Sequence, residues 1–502
     1  MLVNNDLEEQ GRLILAAEDC EPNVFKKIHK FSKYEDKIIR SLIAHGPVLI
    51  RGGRGSGKSA LLIEAHNRIQ ESYSTIFNIY LSLRHLPLLR SQGDEYEKIF
   101  CRLLVNSINN ELQRRGIQEL DIAVSFDVGD LQQALVKLSS TLSSRIVLFF
   151  DDAAHIGRET ALEEFFNIFR TISSSTVSCK AAIYPGVTNF GIRFDVYNDA
   201  TVIDISRDER RDDFTDFFAE VINARYPRLL QNTSESLKRN NTLAWLLGRA
   251  VVGNMRALIF ACNRLSDDKQ IDLQELTNCL IYLSSDYYWS LLDEVAPKLG
   301  KYEPLVEPCR ELAVRIFNHV TVDKKQTLTE ITTSVLIHRD LVQKYSKLFE
   351  ILEYAGFITR REVSRAMKSG GNSRGSRFIL NLCNLLEKTP GARLTIELLE
   401  TWRKNDETSE IYKNSPILAI DLPELLPETE LPILQMDICH IKKSKSYPYG
   451  LTDAKFQILK DENINTIGEL AETPDAKLKD LESIGIGTIN RIHNVIGQAI
   501  WM

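Results

Sequence analysis

The sequence of 502 residues has no long uninterrupted apolar stretch and no leader-like beginning. Its most apolar segment, 242–262, is broken by Arg249 and Arg256, whereas a membrane helix needs roughly 18 apolar residues in a row. Residues 1–20 are acidic and lack the positive region that opens a secretory signal. We therefore expect a cytoplasmic protein without a membrane partner.

Paired cysteines are also missing. The eight cysteines are scattered with no CxxC spacing, which predicts reduced thiols, most of them in the core, and neither a zinc site nor disulfides. The nine histidines show no metal-ligand spacing, and no nuclease, protease or deaminase pattern is present. The cysteines are Cys20, Cys101, Cys179, Cys262, Cys279, Cys309, Cys383 and Cys439.

An excess of positive charge is absent as well. The formal net charge is −6, which excludes a globally basic nucleic-acid binder but leaves room for a local basic surface. Hydrophobic residues make up 43% and charged residues 26% of the chain. These proportions are ordinary for a globular protein and argue against wholesale disorder. At roughly 150 residues per domain, the length favours about three domains.

The first part of the chain alternates short apolar runs with helical patterns. Such alternation predicts a parallel sheet with helices on both faces. We place this α/β domain at 20–207 and an α-helical lid at 208–270, where the strands stop. The apolar runs are 47–50, 76–83, 146–150, 181–184 and 201–205.

Three further segments follow. Residues 271–386 are mostly helical and then show a helix ending at Gly356, a strand, a Gly/Ser-rich tip and a second apolar run, which is the pattern of a winged helix. Residues 387–446 carry several prolines among acidic residues and are interpreted as an extended, solvated linker. Residues 447–502 return to helical periodicity and predict a small all-α domain.

The strongest motif runs from Gly52 to Ser59, reads GGRGSGKS, and fits G-x-x-x-x-G-K-[ST] without mismatch. An apolar strand precedes it and a helical pattern follows, as in a phosphate-binding loop (P-loop) of an α/β P-loop NTPase. Glycines let the backbone wrap phosphates and the helix N-terminus adds a favourable dipole, while Lys58 reaches the β- and γ-phosphates and Ser59 ligates Mg²⁺. The motif predicts ATP and Mg²⁺ as ligands, with the nucleotide held by Gly52, Gly53, Arg54, Gly55, Ser56, Gly57, Lys58, Ser59 and Ala60.

A second motif, RIVLFFDD over 145–152, is an apolar strand that ends in two acids. Asp151 is predicted to hold Mg²⁺ through water, and Asp152 to polarise the water that attacks ATP. Many ATPases carry Glu at the second position, so the shorter Asp favours slow or partner-stimulated hydrolysis. Taken by itself, the pair is equally compatible with an ordinary solvated strand end.

Together these motifs resemble those of the AAA+ ATPases, in particular the origin-recognition and initiator branch and its bacterial relatives, over residues 20–385. The resemblance implies that the strand beginning at Cys179 is inserted between the two motif-bearing strands. It also implies that Thr188 or Asn189 stands at the sensor-1 position after that strand, and that the segment 31–38 lies on the adenine side.

The same resemblance assigns two arginines. Arg256, in the GNMR sequence that begins at Gly253, is implied as the sensor-2 residue that contacts the γ-phosphate and closes the lid. Arg193 is implied as a finger toward the nucleotide of a neighbouring copy, so a homo-oligomer is expected. The alternative for Arg256 is a lid arginine paired with an acidic surface, and the alternative for Arg193 is a surface arginine.

The acid pair also resembles that of STAND-type signalling ATPases, which work as nucleotide switches. However, the lid carries GNMR in place of the Gly-x-Pro that is usual in that group. This difference favours the initiator-like group.

A basic stretch coincides with the predicted wing. Six cations stand against the single acid Glu362 between residues 360 and 377. Such a stripe with a Gly/Ser-rich tip suits contact with DNA phosphates, and the alternative is a hairpin that docks on the protein's own acidic surface. The cations are Arg360, Arg361, Arg365, Lys368, Arg374 and Arg377.

Residues 447–500 resemble the helix-hairpin-helix domain at the C-terminus of bacterial RNA polymerase α subunits. Gly485 and Gly487 permit a tight hairpin, whose outward N–H groups can bind a DNA phosphate with help from Arg491. Such domains also dock proteins, so both partners stay open. The apolar residues expected to pack its helices are Leu481, Ile484, Ile486, Ile489 and Ile492.

Two function hypotheses follow. The first is an AAA+ ATPase whose nucleotide state controls engagement of double-stranded DNA or assembly with partner proteins, with residues 447–502 as the partner-binding domain. The alternative is a STAND-like sensor that oligomerises on a protein trigger, for instance in antiviral defence. A weaker third option is an ATPase that delivers a partner during DNA mobility or repair.

Overall fold

The computed structural model describes most of the chain from residue 17 to residue 501. Outside the described residues lie 1–16, 19, 118–126, 154–157, 187–189, 192, 266–269, 322–330, 369–372, 405, 426–430, 445–446, 448–449, 482 and 502. Among the described residues, no helix combines the length and apolarity needed to cross a membrane.

A five-stranded parallel sheet organises the first domain. Its order is β2-β3-β4-β1-β5, so β4 is inserted between β1 and β3, as predicted. Strands occur where the sequence has short apolar runs, because buried parallel strands have no polar face. The strands are β1 Val48–Arg51, β2 Ile76–Ser82, β3 Arg145–Asp151, β4 Val177–Ile183 and β5 Thr201–Asp204.

Helices cover both faces of this sheet, which confirms the α/β P-loop NTPase fold. Successive side chains of β3 enter two different cores, Val147 and Phe149 on one face and Leu148 and Phe150 on the other, since side chains alternate along a strand. The helices are Pro22–Ile28, Lys33–Ile43, Lys58–Ser72, Leu86–Arg90, Gly93–Arg114, Val128–Leu142, Glu159–Ile172 and Val196–Asp199.

The chain then becomes helical. A close crossing joins two of these helices at Gly248, where an added Cβ would overlap the Phe218 ring. The α-helices are Phe214–Arg225, Pro227–Gln231, Glu235–Lys238, Thr242–Ala250, Met255–Leu265, Leu273–Tyr282, Ser290–Val295 and Val306–Thr321. A π-helical segment covers Leu283–Trp289, and 3-10 turns cover Arg239–Asn241, Ala296–Lys298 and Gly300–Leu305.

A second, four-stranded sheet has the order β7-β8-β6-β9. Its β7 and β8 form an antiparallel hairpin after a helix that ends at Gly356, whose φ of +83° closes the helix in the left-handed region. The sequence predicted this succession of helix, strand, tip and strand. The elements are β6 Ser334–His338, helices Arg339–Lys344 and Ser346–Ala355, β7 Ile358–Ala366, β8 Arg374–Leu380, helices Leu382–Lys388 and Ile396–Lys404, and β9 Ser409–Ile411.

One apolar core runs from the lid into this second sheet. It begins at Phe214 and extends to Ile420. The buried guanidinium of Arg249 reinforces the junction, because it donates to the carbonyl oxygens of Leu380 at 2.9 Å and Thr333 at 3.0 Å. The two predicted segments 208–270 and 271–386 therefore share a core.

The prediction of an extended, solvated linker over 387–446 is wrong for the described residues of that segment. Trp402, Ile411 and Leu418 are buried in the core just described, and Leu431 and Ile433 are buried in the C-terminal core. Burial of these apolar side chains favours a packed segment, although its prolines and acids suggested a linker. The segment also contains a 3-10 turn at Pro416–Leu418, helix Pro432–Gln435 and a 3-10 turn at Ile438–Ile441.

The C-terminal unit, residues 431–501, is all-α and has its own core. Ile484, Ile489 and Ile492 are buried as predicted, and Leu481 packs against them. Ile486 was expected in the same core but is 66% exposed. It opens the last helix on the face that points away from the core. The helices are Asp453–Asp461, Ile467–Glu472, Asp475–Lys479 and Ile486–Trp501.

The cysteine prediction is confirmed for the core thiols. All eight cysteines are free, and all except Cys20 and Cys439 are buried.

Candidate nucleotide-binding site

The predicted nucleotide residues meet in one pocket at the carboxyl edge of the parallel sheet, beneath the lid. This is where α/β sheets bind ligands, because the strand ends and following loops leave a crevice there. Gly52 and Gly53 lie just before the lining part of the loop, and the Gly52 N–H donates to the carbonyl oxygen of Ile183 at 3.2 Å. The lining includes Arg54, Gly55, Ser56, Gly57, Lys58, Ser59, Ala60, Asp151, Asp152 and Arg256.

The loop has the shape of a phosphate cradle. Gly55 and Gly57 have φ angles of +74° and +88°, in the left-handed region that glycine adopts without strain. The helix Lys58–Ser72 starts directly after Gly57, so its first N–H groups and its positive dipole end lie beside the loop. An anionic phosphate is favoured at this position.

Lys58 is buried at the base of the pocket. Its Nζ donates to the carbonyl oxygens of Gly52 at 2.9 Å and Gly53 at 3.0 Å, and lies 3.8 Å from the ring centroid of Tyr184. Burial lowers the pKa of Lys58 to about 7, although the nearby Asp151 carboxylate opposes the shift. A phosphate would supply the negative charge that this ammonium needs.

The two acids at the end of β3, Asp151 and Asp152, lie in different environments. Asp151 is buried, accepts a 2.6 Å hydrogen bond from the Tyr80 hydroxyl, and also accepts from the N–H of Asp152. Asp152 has a φ of +52° and pairs with Arg84 Nε at 2.7 Å. Burial, reinforced by Asp151, raises the pKa of Asp152 to about 7. A carboxyl with this pKa can accept a proton near neutral pH.

The donor set fits a hydrated Mg²⁺. The Ser59 hydroxyl and the Asp151 carboxylate line the same pocket, and oxygen ligands of this kind are what Mg²⁺ prefers. Mg²⁺ commonly keeps several waters and takes only one or two protein ligands. Ser59 and Asp151 are thus the residues that would hold it.

The GNMR segment of the lid touches the loop directly. The Met255 N–H donates to the Gly55 carbonyl oxygen at 2.8 Å. The Asn254 side chain caps the following helix by accepting from the Ala257 N–H. Arg256 lines the pocket, and burial, together with the charge of Arg54, lowers its pKa. The lid therefore presents a guanidinium to the pocket next to the P-loop.

Sequence reasoning missed Arg207. Its Nη1 donates to the carbonyl oxygens of Ser56 at 2.8 Å and Gly253 at 2.9 Å, and its Nη2 pairs with Glu35 at 2.5 Å. One buried side chain thus ties the P-loop, the lid and the segment 31–38 together. The signal that could have found it is its place just after β5, at the carboxyl edge where functional groups gather.

Sequence reasoning also missed Arg84, which the same signal could have found. It follows β2 at the same edge of the sheet. Its Nη2 pairs with Glu18 at 2.5 Å and its Nε pairs with Asp152, so it bridges the two acids. Glu18 and Arg84 also line the pocket. The proposed proton acceptor therefore has a cation beside it that the sequence did not suggest.

Arg54 points away from the loop toward the helical region. Only 7% of its surface is exposed, and its Nη2 pairs with Glu294 at 3.1 Å. Burial is the largest influence and acts to lower the pKa of Arg54, but the Glu294 carboxylate and three nearby tyrosines together outweigh it, so the pKa is raised. Its backbone N–H donates to the Tyr354 carbonyl oxygen at 2.9 Å, so the P-loop also contacts the helix Ser346–Ala355.

Two roles taken from the family resemblance, sensor 1 and the arginine finger, stay predictions. Thr188 and Asn189, the sensor-1 alternatives, are outside the described residues. Arg193 is exposed and does not line the pocket of its own chain. Its role toward a neighbouring copy stays a prediction.

The six cations of the predicted wing separate into three groups by exposure. The side chain of Arg361 is buried and pairs with Glu209 at 3.1 Å. Arg377 is buried and pairs with Glu362 at 3.4 Å. These internal ion pairs remove both side chains from the surface, so neither presents its charge to DNA in this conformation. Arg360 is half-buried against Glu353. The exposed cations are Arg365, Lys368 and Arg374.

The glycines and the arginine of the predicted C-terminal hairpin lie on an open surface. A Cβ added at Gly485 or Gly487 would meet no atom within 4 Å, and Arg491 is exposed. The predicted helix N-terminus is therefore accessible. Its ligand stays a prediction.

Comparisons with known proteins add solved structures of similar fold, whereas no protein-family model and no curated protein matches the chain. The Walker-type ATPase of Pyrococcus abyssi is 14% identical, with a TM-score of 0.40 over 71% of this chain and 95% of that chain. Cdc6p from Pyrobaculum aerophilum is 12% identical, with a TM-score of 0.34 over 74% and 96%. The Orc1 protein of Aeropyrum pernix, solved in complex with DNA, is 14% identical, with a TM-score of 0.28 over 76% and 96%.

The class of the protein follows from its own geometry. The inserted strand β4, the glycine-rich loop after β1 and the acids at the end of β3 define an α/β P-loop NTPase fold with a helical lid.

Proposed function

We propose that this protein binds MgATP, hydrolyses it slowly, and uses its nucleotide state to control engagement of double-stranded DNA or assembly with partner proteins. The observation that carries the proposal is the convergence of one cation from the loop, two acids at the end of β3 and one cation from the lid on a single pocket. These residues are Lys58, Asp151, Asp152 and Arg256.

The chemistry assigns each of them a task. Lys58 and Arg256 neutralise the charge that develops on the γ-phosphate oxygens. Ser59 and Asp151 would hold Mg²⁺, which would supply Lewis-acid charge at the phosphates when bound. Asp152 accepts the proton of the attacking water as the new P–O bond forms and the bond to the leaving ADP oxygen breaks. The pairing of Asp152 with Arg84 supports slow turnover, because the cation lowers the basicity of the carboxylate.

The link to DNA rests on the helix Ser346–Ala355 and the hairpin β7–β8, which we interpret as the recognition helix and wing of a winged helix. The helix packs on the α/β domain, where Tyr354 lies edge-on to Tyr184 at 4.9 Å and Lys347 donates to the Gly186 carbonyl oxygen at 3.1 Å. The P-loop contacts the same helix, because the Arg54 N–H donates to the Tyr354 carbonyl oxygen at 2.9 Å. A nucleotide bound at the P-loop would therefore lie close to this helix. That proximity supports control of the helix by nucleotide.

The same packing favours a second candidate, a STAND-like sensor that assembles with further copies when a partner protein triggers it. Release of the helix Ser346–Ala355 would expose a buried surface for assembly, and DNA would not be required. Residues 447–502 are the proposed partner-binding domain in both candidates.

ATP turnover at fixed salt, with and without duplex DNA, tests the proposal. We expect slow turnover that DNA stimulates and that Asp152→Ala abolishes. Turnover that is indifferent to DNA favours the sensor. Absence of ATP binding at any concentration overturns both.

A further inference from the structure

The C-terminal unit contributes to the wall of the nucleotide pocket. Trp501, in the last turn of its last helix, lines the same pocket as Lys58, Ser59 and Arg256. A residue more than four hundred positions from the P-loop in sequence is thus brought to the proposed nucleotide.

The unit is attached to the α/β domain by a built interface. Leu86 and Leu89 of the helix Leu86–Arg90 belong to the same apolar core as the C-terminal unit. Arg90 forms an ion pair with Glu472. Gly468 permits a close approach there, because an added Cβ would lie 2.8 Å from Arg90 Nη2. The docked position is therefore fixed by packing, charge and shape together.

A buried ion network connects the last helix to the P-loop. Lys298 Nζ lies 3.4 Å from the Gln498 carbonyl oxygen and 3.3 Å from Glu294 Oε1. Glu294 in turn pairs with Arg54 of the loop at 3.1 Å. Three side chains thus span the distance from the P-loop to the helix that carries Trp501.

We propose that Trp501 contacts the bound nucleotide, so that docking of the C-terminal unit and nucleotide binding stabilise each other. This inference rests on the proposed nucleotide function. Coupling between two binding events is reciprocal: nucleotide tightens the docked unit, and a partner that draws the unit away weakens nucleotide binding. The partner-binding domain would then report on, and regulate, the nucleotide site.

The test measures the affinity for a non-hydrolysable ATP analogue with Mg²⁺ by calorimetry on the full chain. Trp501→Ala should weaken binding about five- to tenfold, because truncating a contacting tryptophan removes a large contact area. Trp501→Phe should recover part of the loss. The matched control is Asn494→Ala, an exposed position on the same helix that should bind as the wild type does.

Hydrogen exchange gives a second reading that does not depend on the tryptophan variants. The analogue should slow exchange in 486–501 of the wild type and of Asn494→Ala, but not of Lys58→Ala. Equal affinity of Trp501→Ala and wild type, with exchange in 486–501 unchanged by the analogue, overturns the coupling while Lys58→Ala still loses binding. If Lys58→Ala keeps full affinity, the proposed nucleotide site itself is overturned.

Discussion

The buried ammonium of Lys58 makes the affinity for nucleotide depend on pH. Burial lowers its pKa to about 7, so the free site loses this proton as the pH rises above 7, whereas a bound phosphate favours the charged form. Binding must then take up a proton, and we expect the affinity for MgATP to fall by up to about tenfold per pH unit above 7.

Titration calorimetry from about pH 7.5 to pH 9 checks this expectation. Lys58→Arg is the informative variant, because a guanidinium keeps its charge over that range. Its affinity should not follow the same decline. A wild-type affinity that is constant over this range contradicts the buried-lysine argument.

Asp152 gives turnover an opposite pH dependence. Burial raises its pKa to about 7, while the charge of Arg84 opposes that rise. The carboxylate form accepts the proton, so turnover should increase as the pH rises through about 7. Arg84→Gln removes the opposing charge, and the midpoint of the pH–rate profile should move upward.

The profile of kcat against pH measures this shift. Arg310→Gln is the control, since Arg310 pairs with Asp293 and Glu307 on the helical region and does not line the pocket. A midpoint that moves downward in Arg84→Gln would show that another group sets the profile.

At the scale of elements, the crossing of helices Thr242–Ala250 and Phe214–Arg225 depends on Gly248. An added Cβ would overlap the Phe218 ring, so Gly248→Ala must push two packed helices apart. Overpacking of this kind costs about 1–3 kcal/mol. Urea unfolding should show that loss of free energy of unfolding.

Gly497→Ala is the matched control within a helix. A Cβ there would meet no atom within 4 Å, and alanine is favoured over glycine in a helix by about 1 kcal/mol. The control should therefore be neutral or slightly stabilising. Equal destabilisation by both substitutions would refute the close crossing.

The elements that could be predicted are those whose pattern is local. Buried parallel strands appear as apolar runs, and the P-loop appears as glycines at fixed spacing before Lys58, so the sheet and the core of the site were predictable. The linker was misjudged because prolines and acids are visible in sequence, whereas the burial of Trp402 and Ile411 depends on distant partners.

The positions of several charged side chains could not be predicted for a related reason. Arg361 and Arg377 count as positive charge in sequence, but their burial is decided by Glu209 and Glu362, which the fold brings to them. Arg207 belongs to no motif, and its role follows from three contacts that exist only after folding.

For the whole molecule, the connections run through the P-loop. The lid contacts it at Gly55, the helix Ser346–Ala355 contacts it at Arg54, and the C-terminal unit reaches it through Lys298 and Glu294. Because the lid and the second sheet share one core, they are expected to move as one body over the α/β domain. A ligand at the loop is therefore placed to influence all three attachments.

Binding of DNA to a chain with a net charge of −6 must come from a local surface. Each neutralised phosphate contributes about 0.9 to the slope of log K against log salt. Replacing the exposed cations Arg365, Lys368 and Arg374 by alanine together should lower that slope by about 2–3. Fluorescence anisotropy with a labelled duplex at several salt concentrations measures it.

The buried arginines provide the contrast for this measurement. Arg361→Ala breaks the internal ion pair with Glu209, so it should lower the free energy of unfolding by about 3–5 kcal/mol. Arg377→Ala should cost less, because Glu362 is partly exposed and keeps Arg210 and Arg365 as partners. Both variants should leave the salt slope unchanged. Thermal unfolding of the same samples separates the two effects. The opposite result would be a salt slope changed by the two buried-arginine variants and unchanged by the exposed triple variant. The hairpin would then have to rearrange before it meets DNA. The packed position of the helix Ser346–Ala355 would in that case be an inactive one.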